Sequence, residues 1–279
     1  MKRWLTRCLA LIAVGVCADG RADSQDFQLY KIGVPSDHND DFRIFANQLG
    51  VAITSTDFSP PETLGHSGFN VAIGYAVAKI GDTREQVWPK AGGNPSDALL
   101  MPTVVVRKGL PFSFELGARF AYLTYSRMAA ATLEVKWALN EGLLYLPDLG
   151  VRGHGTRLVG ARDFGLTTAG VDVGLGKQFA IGGMVTLTPY AGWDLIFVSC
   201  TSNVIDFAPD RPLDKAQNTP AETTGAFAPV LMSQNHSSRF YAGLRFIASV
   251  LELGAEASVT QTYATKQILV LAAKVGLDF

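Results

Sequence analysis

KQILVLAAKVGLDF, residues 266–279, decides the fold. Leu269, Leu271, Ala273, Val275, Leu277 and Phe279 share one phase of a two-residue alternation, and Lys274, Gly276 and Asp278 take the other. Successive side chains of a strand point to opposite faces, so this stretch has a greasy face and a small or charged one. Such a strand suits a sheet that separates lipid from a watery interior. The bland alternative is an ordinary edge strand closing a soluble domain, and the neighbouring stretches decide between the two.

Upstream, the same pattern recurs. Leu251, Leu253, Ala255, Ala257 and Val259 oppose Glu252, Gly254, Glu256 and Ser258, while Phe240, Ala242, Leu244 and Phe246 oppose Tyr241, Gly243 and Arg245. Residues 184–199 set Val185, Leu187, Ala191, Trp193, Leu195 and Phe197 against Thr186, Thr188, Tyr190 and Asp194, with Pro189 demanding a local break in the ladder. Residues 164–177 put Val171, Val173 and Leu175 opposite Asp172, Gly174 and Gly176. The run 149–159 is weaker, with Arg152, His154 and Thr156 inward if Leu149 and Val151 face lipid. Residues 128–140 place Leu133, Val135, Trp137 and Leu139 against Thr132, Glu134 and Lys136. In 112–122, Phe112, Phe114, Leu116, Ala118, Phe120 and Tyr122 alternate with Ser113, Glu115, Gly117 and Arg119, after a Gly109-Leu110-Pro111 turn. A run over 99–108 and a first strand from Gly68 complete the set. In that first strand Phe69, Val71, Ile73, Tyr75 and Val77 face away from Asn70, Ala72, Gly74 and Ala76.

Alternating strands that end on Phe279 resemble the bacterial outer-membrane β-barrel proteins. In that class a terminal Phe preceded by alternating apolar residues is read by the barrel assembly machinery. The resemblance therefore implies that Leu277 and Phe279 form an assembly signal. It also implies a Gram-negative host, a place in the bacterial outer membrane, and outer-membrane lipid and that machinery as partners. It extends to no porin or enzyme subgroup, so no functional residue is carried over, and fold does not fix function.

The expected fold is all-β, a transmembrane antiparallel up-and-down β-barrel over 67–279. Such barrels have an even strand number, short periplasmic turns and longer outer loops. Ten strands put the two long excursions, 81–97 and 201–238, on the outer side and the N-terminus in the periplasm. Twelve are possible if 27–34 and 50–56 are strands as well. The first 22 residues read as a signal peptide: Lys2, Arg3 and Arg7 precede a short apolar core at 9–16, with small residues for cleavage near Cys17 or Arg21. Cys17 raises lipidation as an alternative, although Val16 is larger than the residue that chemistry usually has there. Residues 23–66 are expected to be a periplasmic segment with a short helix over 42–49, where Phe42, Phe45, Ala46 and Leu49 share a face. Asn39 or Asp40 could cap it and Gly50 could end it, while Val51, Ile53 and Ser55 could instead begin a strand. The helix sits at the periplasmic mouth or inside the lumen.

Lys plus Arg number 24 against 25 for Asp plus Glu, so nothing marks a nucleic-acid partner. Cys8 and Cys17 leave with the signal segment, and Cys200 alone builds neither a disulfide framework nor a Cys-based metal site. No zinc, phosphate-loop or calcium-loop pattern appears, so no cofactor is expected. Asn235-His236-Ser237-Ser238 and a His154–Asp163 pair are the only conceivable catalytic groupings, and no enzyme is expected from them. His38 and His66 read as surface residues. The candidate lumen-lining charges are Glu115, Arg119, Glu134, Lys136, Arg152, Asp172, Asp194, Arg245, Glu252, Glu256 and Lys274. They either fill the interior as salt-bridge ladders or line a narrow polar path. Glycines gathered on the same inward phase suit a small, bent barrel or leave room for an inserted helix. Two functions follow: a porin-like narrow or plugged pore for small solutes, or a non-transporting barrel that binds or supports through its outer loops.

Overall fold

The computed structural model describes residues 26–54, 56, 58–80, 88, 98–143, 145–182, 185–207, 224–262 and 267–279. The expected signal peptide, most of the 81–97 excursion and the centre of 201–238 lie outside the described residues.

The alternating stretches are strands. In chain order they begin with β1 (Phe69–Lys79), β2 (Ala98–Leu110), β3 (Phe114–Tyr122), β4 (Ala129–Asn140) and β5 (Asp148–Val159). There follow β6 (Phe164–Gly176), the short β7 (Phe179–Ile181) and β8 (Val185–Ser202). A minor pair, β9 (Ile205–Asp206) and β10 (Thr224–Gly225), precedes β11 (His236–Ala248), β12 (Leu251–Gln261) and β13 (Ile268–Asp278). Ten of these pair antiparallel with their sequence neighbours, and β1 pairs with β13, Asn70 opposite Asp278, to close the ring. Closure removes the unpaired edge that an open sheet presents. The ordinary edge-strand reading of 266–279 is thereby excluded.

Pro189 leaves its mark on the ladder. Lys177 N–H donates to Pro189 O at 3.1 Å, but proline has no N–H to return the bond. Strand β6 therefore stops at Gly176 opposite Tyr190, and β7 resumes in the same register at Phe179 opposite Leu187. The other edge of β8 pairs without interruption with β11 from Val185 to Phe197.

Three local expectations need correction. The β2–β3 turn lies at Pro111-Phe112-Ser113, with Phe112 and Ser113 both at positive φ (63° and 58°), two residues later than the sequence suggested. Gly109 is instead a strand residue opposite Glu115, and a Cβ there would fall on the Gly65 carbonyl oxygen. The helix, α1 (Pro35–Ile53), is 19 residues long and kinked at His38. Its start is set by Pro35 in the first turn, not by an Asn39 or Asp40 cap. Gly50 does not end it: it lies within the helix, where a Cβ would sit 2.7 Å from Val198 Cγ1. Val51 and Ile53 are helical and buried, and Leu29–Lys31 is a 3-10 turn, so the twelve-strand alternative fails.

A closed ladder should survive detergent until heated, because no strand can peel off without breaking two sets of hydrogen bonds. Unboiled and boiled protein should migrate differently on a denaturing gel. Identical migration would overturn the ring.

Candidate functional site

The site is the barrel's interior. All eleven expected inward charges are buried there, Asp194 completely and Arg119 and Arg245 the most exposed at 5%. They do not line an open path. Arg152 is the hub, with Nη1 donating to Glu134 Oε2 at 2.7 Å and Nε to Asp172 Oδ2 at 2.5 Å. Arg107 Nε donates to Glu134 Oε1 at 2.8 Å, and Lys274 Nζ lies 2.7 Å from Glu252 Oε1. Tyr241 Oη reaches Asp172 at 3.1 Å and Tyr190 Oη reaches Glu256 at 3.0 Å. The inward glycines make room for this bulk: a Cβ at Gly192 would strike Tyr241, and one at Gly243 would strike the Tyr190 ring.

The remaining wall groups hold the N-terminal segment, which runs down the barrel. Its first described residues sit at the rim carrying the longer connections, where Asp26 accepts from Arg127 N–H at 2.9 Å and Asp163 from Leu29 N–H at 3.1 Å. Helix α1 starts among the same loops, with Phe42 stacked on Phe227 at 4.7 Å and Asn39 accepting from Ala228 N–H. It descends against β6, β8 and β13. Phe42, Phe45, Leu49, Val51 and Ile53 are each at most 1% exposed. Side chains of this kind contribute about 1.5–3 kcal/mol apiece when fully buried. Phe27, Phe45, Phe164 and Trp88 meet edge-on above, and Trp88 Nε1 donates to Gln48 Oε1 at 2.6 Å.

From the last turn of the helix onward the described chain is irregular, and wall side chains meet its backbone. Arg239 Nη2 donates to Val51 O at 2.9 Å, Lys136 Nζ to Pro60 O at 3.0 Å and to Ser59 Oγ at 2.7 Å. Glu256 accepts from Phe58 N–H at 2.9 Å and Glu115 from Leu64 N–H at 3.1 Å, while Arg245 pairs with Glu62. Phe58 is at φ +54°, a region that bulky residues rarely enter, with its ring 5.5 Å from the Arg119 guanidinium carbon. The segment leaves beside Glu141 and Gly109 and turns into β1 at the opposite rim. The described part of the 23–66 stretch thus runs from the long-loop rim, where Asp26 lies, through the lumen to the opposite rim. Of the two expected places for the helix, the mouth and the lumen, it takes the lumen, and the chain that follows fills more of the space because wall groups meet its backbone.

Sequence reasoning missed Arg107 and Arg239. Val104-Val105-Val106 hides the phase of β2, although Asn70, which pairs with Arg107 across the register, was placed inward. Arg239 precedes the alternation that was read from Phe240, but it shares the phase of Tyr241 and Arg245. With these two, the buried inward charges of the described wall are seven cations and seven carboxylates, Asp148 of β5 among them, and Glu62 of the segment adds a further carboxylate opposite Arg245.

His154 pairs with Asp194 at 3.1 Å and not with Asp163, which is engaged with the Leu29 amide. His236 is exposed while Ser237 is buried, as adjacent strand residues must be. Among the described residues the nearest approach to a metal cluster is His154, Asp172 and Asp194, whose ligand atoms lie within 4.8 Å of one another. There the Arg152 guanidinium binds Asp172 and Arg239 stands 3.8 Å from Asp194, so protein cations already balance both carboxylates.

No protein-family model matches the chain, and no curated protein matches its sequence. Similar solved structures are bacterial outer-membrane proteins. The attachment invasion locus protein Ail of Yersinia pestis is 12% identical, with a TM-score of 0.31 over 77% of this chain and 99% of that one. Neisserial surface protein A is 10% identical, with a TM-score of 0.32 over 76% and 97%. Omp33 of Acinetobacter baumannii is 9% identical, with a TM-score of 0.28 over 78% and 100%.

Replacing Arg152 by Ala strands Glu134 and Asp172 with one partner fewer each in a dry interior. Loss of one member of a buried ion pair costs about 3–5 kcal/mol. The Arg152→Ala protein should therefore lose its heat-dependent mobility shift at lower temperature and refold at lower urea, whereas exposed Lys79→Ala should behave as the parent. Equal stability of the two variants would show that the network is not structural.

Proposed function

We propose that this protein is an exported bacterial outer-membrane barrel forming a pore that its own N-terminal segment plugs. The threaded segment carries this reading. Ten strands lie near the size at which side chains alone fill the interior, and a helix plus an extended chain occupies what is left. The outer surface supports the membrane setting. Apolar residues cover the outward phase of the strands, and aromatics gather at the turn rim, where Phe112 is 88% and Tyr145 92% exposed and Phe114 stacks on Trp137 at 5.6 Å. Tyr122 and Tyr125 stand at the other rim. No helix among the described residues is long and apolar enough to cross a bilayer, which says nothing about strands.

The solutes such a pore would pass are small, and because the interior charges nearly cancel, its ion preference is weak. In lipid bilayers the intact protein should conduct little, and removing residues 26–53 should raise the conductance. A large conductance of the intact protein would overturn the plug. Silence of both forms would favour the second reading, a non-transporting barrel that binds at its rim. That reading has its own observation: a cleft of about 460 Å³ at the long-loop rim, between Asp26, Tyr30, Arg127, Arg162, Asp163 and Asp206.

If the long loops face outward, Asp26 and the start of α1 do so too. An epitope at Asn218 and one beside Asp37, exposed in the first turn of α1, should both be reached by antibody on intact cells. An epitope between Glu141 and Pro147 should not. Labelling of the Glu141 site alone would reverse the orientation.

The same proposal includes assembly through the last strand. Phe279 exchanges two backbone hydrogen bonds of 2.9 Å with Phe69 across the seam, and its ring is 66% exposed on the outward phase. Phe279→Ser should reduce the heat-shifted, membrane-inserted fraction more than Leu277→Ala does. Equal insertion would remove the terminal ring's role.

A further inference from the structure

On the ten barrel strands, the described outward phase carries three charged side chains and all are cations: Lys79, Lys108 and Arg157. Lys79 is the last residue of β1, and Lys108 Nζ is satisfied by Ser67 O at 2.7 Å near the turn rim. Arg157 is different. It lies two residues inside the end of β5 and makes one hydrogen bond among the described residues, from Nη1 to Thr167 Oγ1 at 3.1 Å. A guanidinium has five N–H donors, so four remain available. A charge on the lipid face is unfavourable unless it meets a partner.

Next to it is a groove of about 630 Å³, lined mostly by apolar outward residues. Its floor is low because β3, β4 and β5 place Ala118, Ala131 and Gly155 there, flanked by Phe120 and Leu133, which stand 51% and 69% exposed. Arg157 and Thr167 close the end nearest the long-loop rim, and Ser199 lies opposite Thr167 across the β6–β8 register. A slot for a hydrocarbon chain thus runs up to a cation and hydroxyls at the level where lipid headgroups begin.

We propose that this groove seats one anionic, phosphate-bearing membrane lipid, with its acyl chain over Ala118, Ala131 and Gly155 and its phosphate on Arg157. The guanidinium fork matches phosphate oxygens two at a time. A second copy of the chain fits less well, because the described outward phase of the barrel strands offers no Asp or Glu to receive Arg157. A second outer groove, of about 750 Å³ over Pro189, Ala242, Ala257 and Ala273, has no outward-phase charge among the residues that line it. The inference rests on the membrane-spanning reading.

The test uses the full-length protein in nanodiscs of equal phosphatidylglycerol and phosphatidylcholine, followed by native mass spectrometry during stepwise delipidation. The parent should keep one phosphatidylglycerol last. Arg157→Gln should lower the retained phosphatidylglycerol to phosphatidylcholine ratio by about tenfold, the scale of one charge-assisted hydrogen bond. Gly155→Leu should do the same by filling the floor, since a Cβ there meets only Thr168 O at 3.8 Å. Lys79→Gln should leave the ratio unchanged. Arg157→Gln carries the test alone if Gly155→Leu loses its heat shift. Equal retention of both lipids by the parent, an unchanged ratio in Arg157→Gln, or an equal drop in Lys79→Gln overturns the lipid site alone. A dimer mass in place of a lipid-bearing monomer overturns it in favour of self-association. Failure of the parent to enter nanodiscs overturns the membrane reading and the site with it.

Discussion

An extended chain buried inside a barrel must find a partner for its peptide groups, and the rest of this structure follows from that need. The described residues between 54 and 66 belong to no strand, so no sheet ladder pairs their peptide groups. The wall supplies what they lack, carboxylates where the segment presents N–H and cations where it presents carbonyls. Glu256 and Glu115 take the amides of Phe58 and Leu64, Lys136 donates to the carbonyl of Pro60, and Arg239 donates to that of Thr54 and, in the last turn of the helix, to that of Val51. Several of these charges also pair within the wall, Glu115 with Lys136 and Arg107, and Arg239 with Asp194, beside the Arg152–Glu134–Arg107 chain. Removing the segment leaves part of this set unpaired, so wall and insert specify each other.

The interior is zoned to match. Toward the long-loop rim the inward phase turns apolar: Asp194 gives way to Ile196, Val198 and Cys200 along β8, and Lys274 to Ala272, Val270 and Ile268 along β13. The helix, whose own hydrogen bonds are internal, occupies the apolar zone, and the extended stretch occupies the charged one. Each form of backbone lies where its unsatisfied groups cost least.

That zoning explains what could be read from the sequence. Strand number, facing and closure were legible because a two-residue period is local, and 112–122 or 266–279 display it without help from the rest of the chain. The helix was legible only at its core: a first-turn proline, Pro35, opens it ahead of the expected caps, and Gly50 continues it where a side chain would meet Val198. The path of the segment was legible only in part: an inserted helix was one of two places the sequence allowed, and the passage of the residues after it along the charged wall was not readable. Phe42, Phe45 and Leu49 announce an apolar face, but nothing local says that the complementary surface is the inside of β6, β8 and β13. The turn at Phe112 was misplaced for a similar reason: Gly109 looked like a turn residue, whereas its missing side chain makes way for the backbone of Gly65.

The threading also constrains how the ring can close. The segment's lower end is continuous with β1, so it is anchored in the wall, and its upper end is bonded to loops at the far rim. Strand β1 is also one side of the seam, with β13 as the other. A ring already closed admits such a segment only if its free end passes through the full length of the lumen, dragging Phe42 and Phe45 past the charged zone. A ring still open between β1 and β13 admits it sideways, with each wall group meeting its backbone partner as the seam forms. The second route exposes less and breaks nothing, because the strand that follows the segment is one of the two that close the barrel over it.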